Sequence, residues 1–146
     1  MKIIILGCGR VGATLAQMMD RAGHTVTVVD FNSDAFHRLD PTFGGKTLMG
    51  DGIDEEVLRR AGVKDADVFV ATTNGDNRNI MASQIAKKIF NVSEVICRIY
   101  DPIRTEIYQK LDLKVICPTL VGAELFRQEI EKHVEQSTST AATKTR

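Results

Sequence analysis

Short apolar runs alternate with segments of helical spacing along most of the chain. Six runs read as strands: Ile3–Leu6, Thr25–Val29, Lys46–Met49, Val68–Ala71, Val95–Arg98 and Lys114–Cys117. They are brief, rich in β-branched residues and apolar at successive positions, as strands covered on both faces must be. The first helical segment places Leu15, Met18, Met19 and Ala22 at helical spacing before Gly23. The second spans about Ser33 to Leu39, with Asn32 or Ser33 as its cap. The third, Asp54–Arg60, ends at Gly62, and the fourth, Asp76–Phe90, carries Ile80, Met81, Ile85, Ala86 and Ile89. The fifth follows Pro102 and carries Ile103, Ile107 and Leu111. The sixth opens at Pro118, a residue suited to a first helical turn, and runs through Leu125 and Phe126 to about His133.

Six strands alternating with helices in 146 residues predict an α/β fold. The specific expectation is a Rossmann-type, doubly wound, six-stranded parallel sheet of order 3-2-1-4-5-6 with right-handed crossovers. One domain is expected over residues 1–134. Residues 135–146 are mostly Ser, Thr and Ala with no apolar face, and are expected to be a disordered tail.

The first strand stops at Gly7-Cys8-Gly9-Arg10-Val11-Gly12, and the second ends on an acid, Asp30. Strand, G-x-G-x-x-G turn, helix, strand and acid form the dinucleotide-binding pattern. Gly7 permits a tight turn, Gly9 lets backbone approach a pyrophosphate, and Gly12 lets the helix pack closely on the strand. The helix start presents unpaired amides and a positive dipole end to phosphate. Asp30 can accept hydrogen bonds from a ribose diol and disfavours a 2′-phosphate, which argues against NADP. Arg10 sits beside a helix N-terminus, where a cation asks for a nearby anion, so a phosphate contact is favoured over plain exposure.

In a sheet of this kind ligands lie outside the strand C-termini. The candidates there are the glycine turn, Asp30-Phe31-Asn32 after strand two, Gly50-Asp51-Gly52 after strand three, Thr72-Thr73-Asn74 after strand four, and Arg98 at the end of strand five. Asp51 suits either the adenine end or a turn before the next helix. Asn74, Asp76 and Asn79 suit the far side of a ligand, with helix capping an equal reading for the first two. Asp54, Glu55 and Glu56 read as first-turn charges rather than metal ligands. His24, His37 and His133 are scattered, with no partner nearby in sequence.

Charge and cysteine content narrow the classes. Lys plus Arg equals Asp plus Glu at 19 each, which argues against a nucleic-acid partner bound through a basic surface. No apolar run approaches the roughly 20 residues that cross a bilayer, and there is no signal-peptide layout, so a cytoplasmic location is the expectation. Cys8, Cys97 and Cys117 are odd in number and far apart, which predicts reduced thiols and no zinc site. Cys8 stands in the glycine turn, where a helix N-terminus can lower a thiol pKa, although no redox role is expected.

The runs G-C-G-R-V-G, V-V-D, M-G-D-G, A-T-T-N-G-D-N-R-N, C-R-I-Y-D-P and V-I-C-P together resemble the N-terminal nucleotide-binding domain of RCK (KTN) proteins, over about Met1 to Lys132. That family comprises regulators of potassium conductance, including cytoplasmic subunits of Trk- and Ktr-type uptake systems. The resemblance implies a non-enzymatic domain that binds NAD(H) or ATP/ADP. It implies phosphate contacts at Gly7, Gly9, Arg10 and Gly12, and ribose contact at Asp30. It further places Asp51 and Gly52 near the adenine, Thr72, Thr73 and Asn74 over the ligand, and Arg98 as a basic position. It implies dimers that assemble into rings, commonly octameric, on a membrane-embedded potassium transporter or channel subunit. The location implied is peripheral, at the inner face of the cell membrane, with no insertion of its own. Full-length members carry a further C-terminal subdomain, so an isolated N-domain is expected. Thr119 stands where some ATP-binding members place a Glu linked to a divalent cation, which weighs against metal-assisted gating. Val121, Leu125, Phe126, Ile130 and Val134 form an apolar stripe that suits self-association or packing on the sheet equally. A small NAD-dependent oxidoreductase, or a fragment of one, is the alternative reading. It lacks a substrate domain and a convincing proton-transfer residue.

Overall fold

The computed structural model describes residues 1–110 and 113–144, with side chains described through 110 and over 113–134. Six parallel strands form one sheet: β1 (Lys2–Leu6), β2 (Thr25–Asp30), β3 (Lys46–Met49), β4 (Val68–Ala71), β5 (Glu94–Arg98) and β6 (Lys114–Ile116). Their order is β3-β2-β1-β4-β5-β6, as the alternation predicts. The register pairs Leu6 with Val29 on one side and with Ala71 on the other, which sets the strand ends side by side.

Alternate residues of β1 serve opposite faces, because side chains in a strand point up and down in turn. Ile3 and Ile5 join Val26, Val28 and Val70 under the first helix, α1 (Arg10–Arg21). Ile4 and Leu6 join Phe69, Ala71 and Val29 on the other face. There α2 (Glu55–Arg60) and α3 (Asp76–Gln84) contribute Val57, Leu58 and Ala82. Each fully buried Leu or Phe in these layers stabilises the fold by about 1.5–3 kcal/mol.

Helix α1 differs from the expected pattern in which residues it buries. Gly12, Ala13 and Ala16 are buried, while Met18 is exposed. A Cβ on Gly12 would lie 1.8 Å from the Gly7 carbonyl oxygen, so the helix approaches the strand end too closely for large side chains in the seam. The longer residues ride on its flanks.

Further differences are local. Ser33–Arg38 is a 3-10 rather than an α segment, capped by the Asn32 side chain, which accepts the Asp34 amide. The fourth helical segment is α only over Asp76–Gln84 and widens to a π turn over Ile85–Ile89. Helix α4 (Pro102–Gln109) is capped by Asp101. Leu111, assigned to this helix from its spacing, lies outside the described residues. Helix α5 runs Pro118–Lys144, past the expected end near His133 and into the stretch expected to be disordered. No Gly or Pro follows Gly122 to stop it. Its stripe does not pack on the sheet: Leu125, Phe126, Ile130 and Val134 are all exposed. Among the described residues no helix is long and apolar enough to cross a membrane.

Candidate functional site

The C-terminal ends of the strands surround a cavity of about 570 Å³. Its lining runs from Gly50 and Gly52 after β3, past Asp30 and the glycine turn, to Thr72 after β4 and Arg98 on β5. Five adjacent strand ends at about 4.8 Å spacing make an elongated trough, suited to a long ligand rather than a compact one.

Gly7 anchors the turn with φ +98°, a left-handed value that favours glycine. A Cβ there would also meet the Thr73 amide nitrogen at 2.8 Å. Gly9 has an ordinary extended backbone and nothing within 4 Å of a Cβ position, so the space beside it is open. Cys8, Arg10 and Val11 line the cavity beside it. Gly12 lies beneath, at the helix–strand seam, and does not line the cavity. The first amides of α1 have no acceptor within the helix and face this end of the trough.

Asp30 does more than face the cavity. Its Oδ2 accepts the Cys8 amide at 2.7 Å, and its Oδ1 accepts the Asn32 amide at 2.9 Å. Each carboxylate oxygen keeps a further lone pair for a hydroxyl donor. Cys8 is fully buried, and burial pushes its thiol up to about 11, with the Asp30 charge adding and Arg38 opposing. The thiol is thus raised rather than lowered beside the helix end, with burial the largest cause.

Thr72 donates its hydroxyl toward the Leu6 and Gly7 carbonyls, which ties the β4 end to the turn. Thr73 and Asn74 follow it along the cavity. Arg98 Nη2 donates to the Thr73 carbonyl at 2.6 Å, and the guanidinium stacks over Tyr100 at 4.4 Å from the ring centre. Burial draws the Arg98 pKa down, while Tyr100 and Asp76 oppose this. Arg98 Nε is buried with no hydrogen-bond partner among the described residues. Thr119, at the start of α5, donates its hydroxyl to the Tyr100 carbonyl at 3.2 Å.

Fourteen of the candidate positions read from the sequence line this one cavity, with Phe31 and Asn32 at its β2 rim. Asp51 does not. It accepts the Ile53 amide and stands 4.0 Å from Arg78, as a turn residue at the edge. Asp76 does not cap α3; its carboxylate accepts the Tyr100 and Asp101 amides. Asp54 caps α2 and Glu55 pairs with Arg59, as first-turn charges do. Arg38, Arg78, Tyr100 and Pro118 also line the cavity and were not singled out by spacing. Arg78 stacks over Phe31 at 5.3 Å. Its place in T-T-N-G-D-N-R-N, within the first turn of a helix that starts beside the cavity, was the available signal. Four guanidinium groups, of Arg10, Arg38, Arg78 and Arg98, thus share the lining with one carboxylate, Asp30. A chain of zero net charge carries a locally cationic trough fitted to a polyanion.

Comparison with known proteins agrees with this geometry. The TrkA-N domain family matches residues 3–118. The Streptomyces coelicolor protein named Trk system potassium uptake protein TrkA is 47% identical over 116 residues, covering 80% of this chain and 52% of that protein. The chain spans about half the length of that curated relative. Among solved structures, the AMP-bound Shewanella denitrificans Kef CTD superposes with a TM-score of 0.78 at 20% identity, covering 92% of this chain and 82% of that one. The GsuK channel bound to NAD gives 0.67 at 22% identity, covering 80% of this chain and 21% of that one. These two likenesses show the Rossmann-like fold. The match over the sheet and its glycine turn, with the identity to a protein of that name, establishes that the chain belongs to the TrkA-N domain family.

Proposed function

We propose that this chain is the nucleotide-sensing part of a cytoplasmic regulatory subunit for a potassium transporter or channel. Its ligand is NAD(H) or ATP/ADP. The observation that carries this reading is the open cradle at Gly9, flanked by the start of α1, by Asp30 and by four cavity-lining arginines. A pyrophosphate fits the space that no Cβ occupies, and the Arg98 guanidinium lines the far end. The ribose falls to Asp30, whose charge disfavours a 2′-phosphate. The names of the relatives support the context: a potassium uptake protein, a channel bound to NAD and a domain bound to AMP.

In this reading the domain spans residues 1–134 and is non-enzymatic. It pairs with copies of itself, as a dimer or within an octameric ring. It docks at the inner face of the membrane on a membrane-embedded subunit. Nucleotide acts by binding two assembly geometries unequally, since only differential affinity shifts an equilibrium.

The test is a thermal-shift series with NAD, NADH, ATP, ADP and NADP. A ligand at about 100 times its Kd stabilises the folded state by about 2.7 kcal/mol. The expected result is a raised melting temperature with at least one of the first four and a smaller rise with NADP. An unchanged melting temperature across the series would overturn nucleotide binding. Steady turnover of NADH with a small carbonyl compound would overturn the non-enzymatic assignment.

A further inference from the structure

Asn79 is fully buried on α3 and does not touch the cavity, yet its amide makes every hydrogen bond it can. Its Oδ1 accepts the Thr73 amide at 2.9 Å and the Thr73 hydroxyl at 2.6 Å. Its Nδ2 donates to the Thr73 carbonyl and to the Arg98 carbonyl, both at 3.0 Å. Two donors and two lone pairs are thus all engaged. Three of the four bonds go to a single cavity-lining residue, and the fourth to the end of the next strand.

We propose that Asn79 is a positioning residue for the ligand. It locks Thr73 and the end of β5 in one geometry, so that the β4–β5 half of the trough is formed before nucleotide arrives. This rests on the nucleotide-binding reading above.

The arrangement has a physical logic. Thr73 lies in the loop between β4 and α3, a segment that would otherwise choose among several conformations. Its carbonyl also receives Arg98 Nη2, so the loop and the guanidinium share one anchor. Fixing both in advance spares the ligand the cost of ordering them. A carboxamide is the side chain that satisfies an N–H, an O–H and two carbonyls at once. An aspartate of the same shape would set carboxylate oxygen against two carbonyl oxygens.

The consequence is selective by ligand length. AMP needs only the Asp30 and glycine-turn end, whereas NAD must also occupy the β4–β5 end. Calorimetric titration of wild type, Asn79→Asp and Asn79→Ala with AMP and with NAD separates the two. The expected result is a loss of about tenfold or more in NAD affinity with AMP affinity held within about threefold. A purely structural role would weaken both ligands alike, and that result, or no change in either, overturns the proposal. Wild type that binds neither ligand would instead refute the nucleotide-binding reading itself, and this inference with it.

If the variants fail to fold, hydrogen exchange on the ligand-free wild type decides. The Thr73 amide should exchange only with global opening, like the core strands. Exchange at the rate of an open loop would overturn the assignment.

Discussion

The Asp30 carboxylate accepts the Cys8 amide at 2.7 Å, which ties the end of β2 directly to the turn that follows β1. The residue that sequence logic assigns to a sugar is thereby also a structural clamp on the phosphate turn. In the proposed reading, ligand binding and turn geometry share this one side chain.

Asp30→Ala should therefore cost stability as well as affinity. A part-buried amide left without its acceptor costs about 1–3 kcal/mol. Chemical denaturation should show that loss, and calorimetry should show nucleotide affinity down by about tenfold or more. Asp30→Asn keeps one oxygen for one amide and should fall between. Full affinity in Asp30→Ala would refute the ribose assignment.

The two glycines of the turn should separate fold from binding. Gly12→Ala places a methyl 1.8 Å from a backbone oxygen, so destabilisation by about 3 kcal/mol or more is expected. Gly9→Ala meets nothing within 4 Å and has an allowed backbone at φ −76°, so its melting temperature should stay near wild type. Its nucleotide affinity should nevertheless fall, because the methyl occupies the phosphate cradle. Undiminished binding by Gly9→Ala would place the phosphates elsewhere.

Cys8 predicts a loss of stability in alkali. Its folded pKa of about 11 lies above the ordinary 9.0, so the unfolded chain ionises first as pH rises. The contribution is complete below about pH 9 and is lost between about 9 and 11, amounting to about 2–3 kcal/mol. Urea midpoints of wild type and Cys8→Ala at about pH 8 and about pH 10.5 should converge at the higher pH. The same thiol should resist alkylation at neutral pH. A constant gap, or rapid alkylation, would contradict the assignment.

Helix α5 predicts association. Leu125, Phe126, Ile130 and Val134 stand exposed at helical spacing, with Phe126 the most exposed at 74%. Light scattering should find more than one copy, and Phe126→Glu should weaken association by about tenfold or more. A wild-type chain that stays monomeric at high concentration would remove the basis for dimers through this face.

Much of the fold was legible as linear pattern. Val68–Ala71 matches the expected strand at both ends, because a strand covered on both faces must be continuously apolar. Lys46–Met49 matches too, although this edge strand is largely exposed rather than covered on both faces. The turn residues Gly7 and Gly9 and the acid Asp30 were legible because each meets a local backbone or charge requirement. Arg38, Tyr100 and Pro118 were not, since their approach to the cavity depends on how separate loops converge. Asn79 reads from the sequence as a residue for the far side of a ligand; instead it is buried behind Thr73, because α3 packs against β4 and β5. The apolar stripe on α5 fitted either packing or association, and the tertiary structure leaves it facing outward.

Periodicity and the glycine spacing by themselves determined a parallel six-stranded sheet and pointed to the end of it where the candidate site lies, because strand burial and helix-start amides are encoded within a few consecutive residues. Tertiary structure alone decided that Arg38 and Arg78 join Arg10 and Arg98 in the trough, that burial raises the Cys8 thiol pKa, and that Asp30 and Asn79 brace the turn and the β4 loop. Those outcomes depend on distances between residues far apart in the chain, and such distances exist only once the strands have paired.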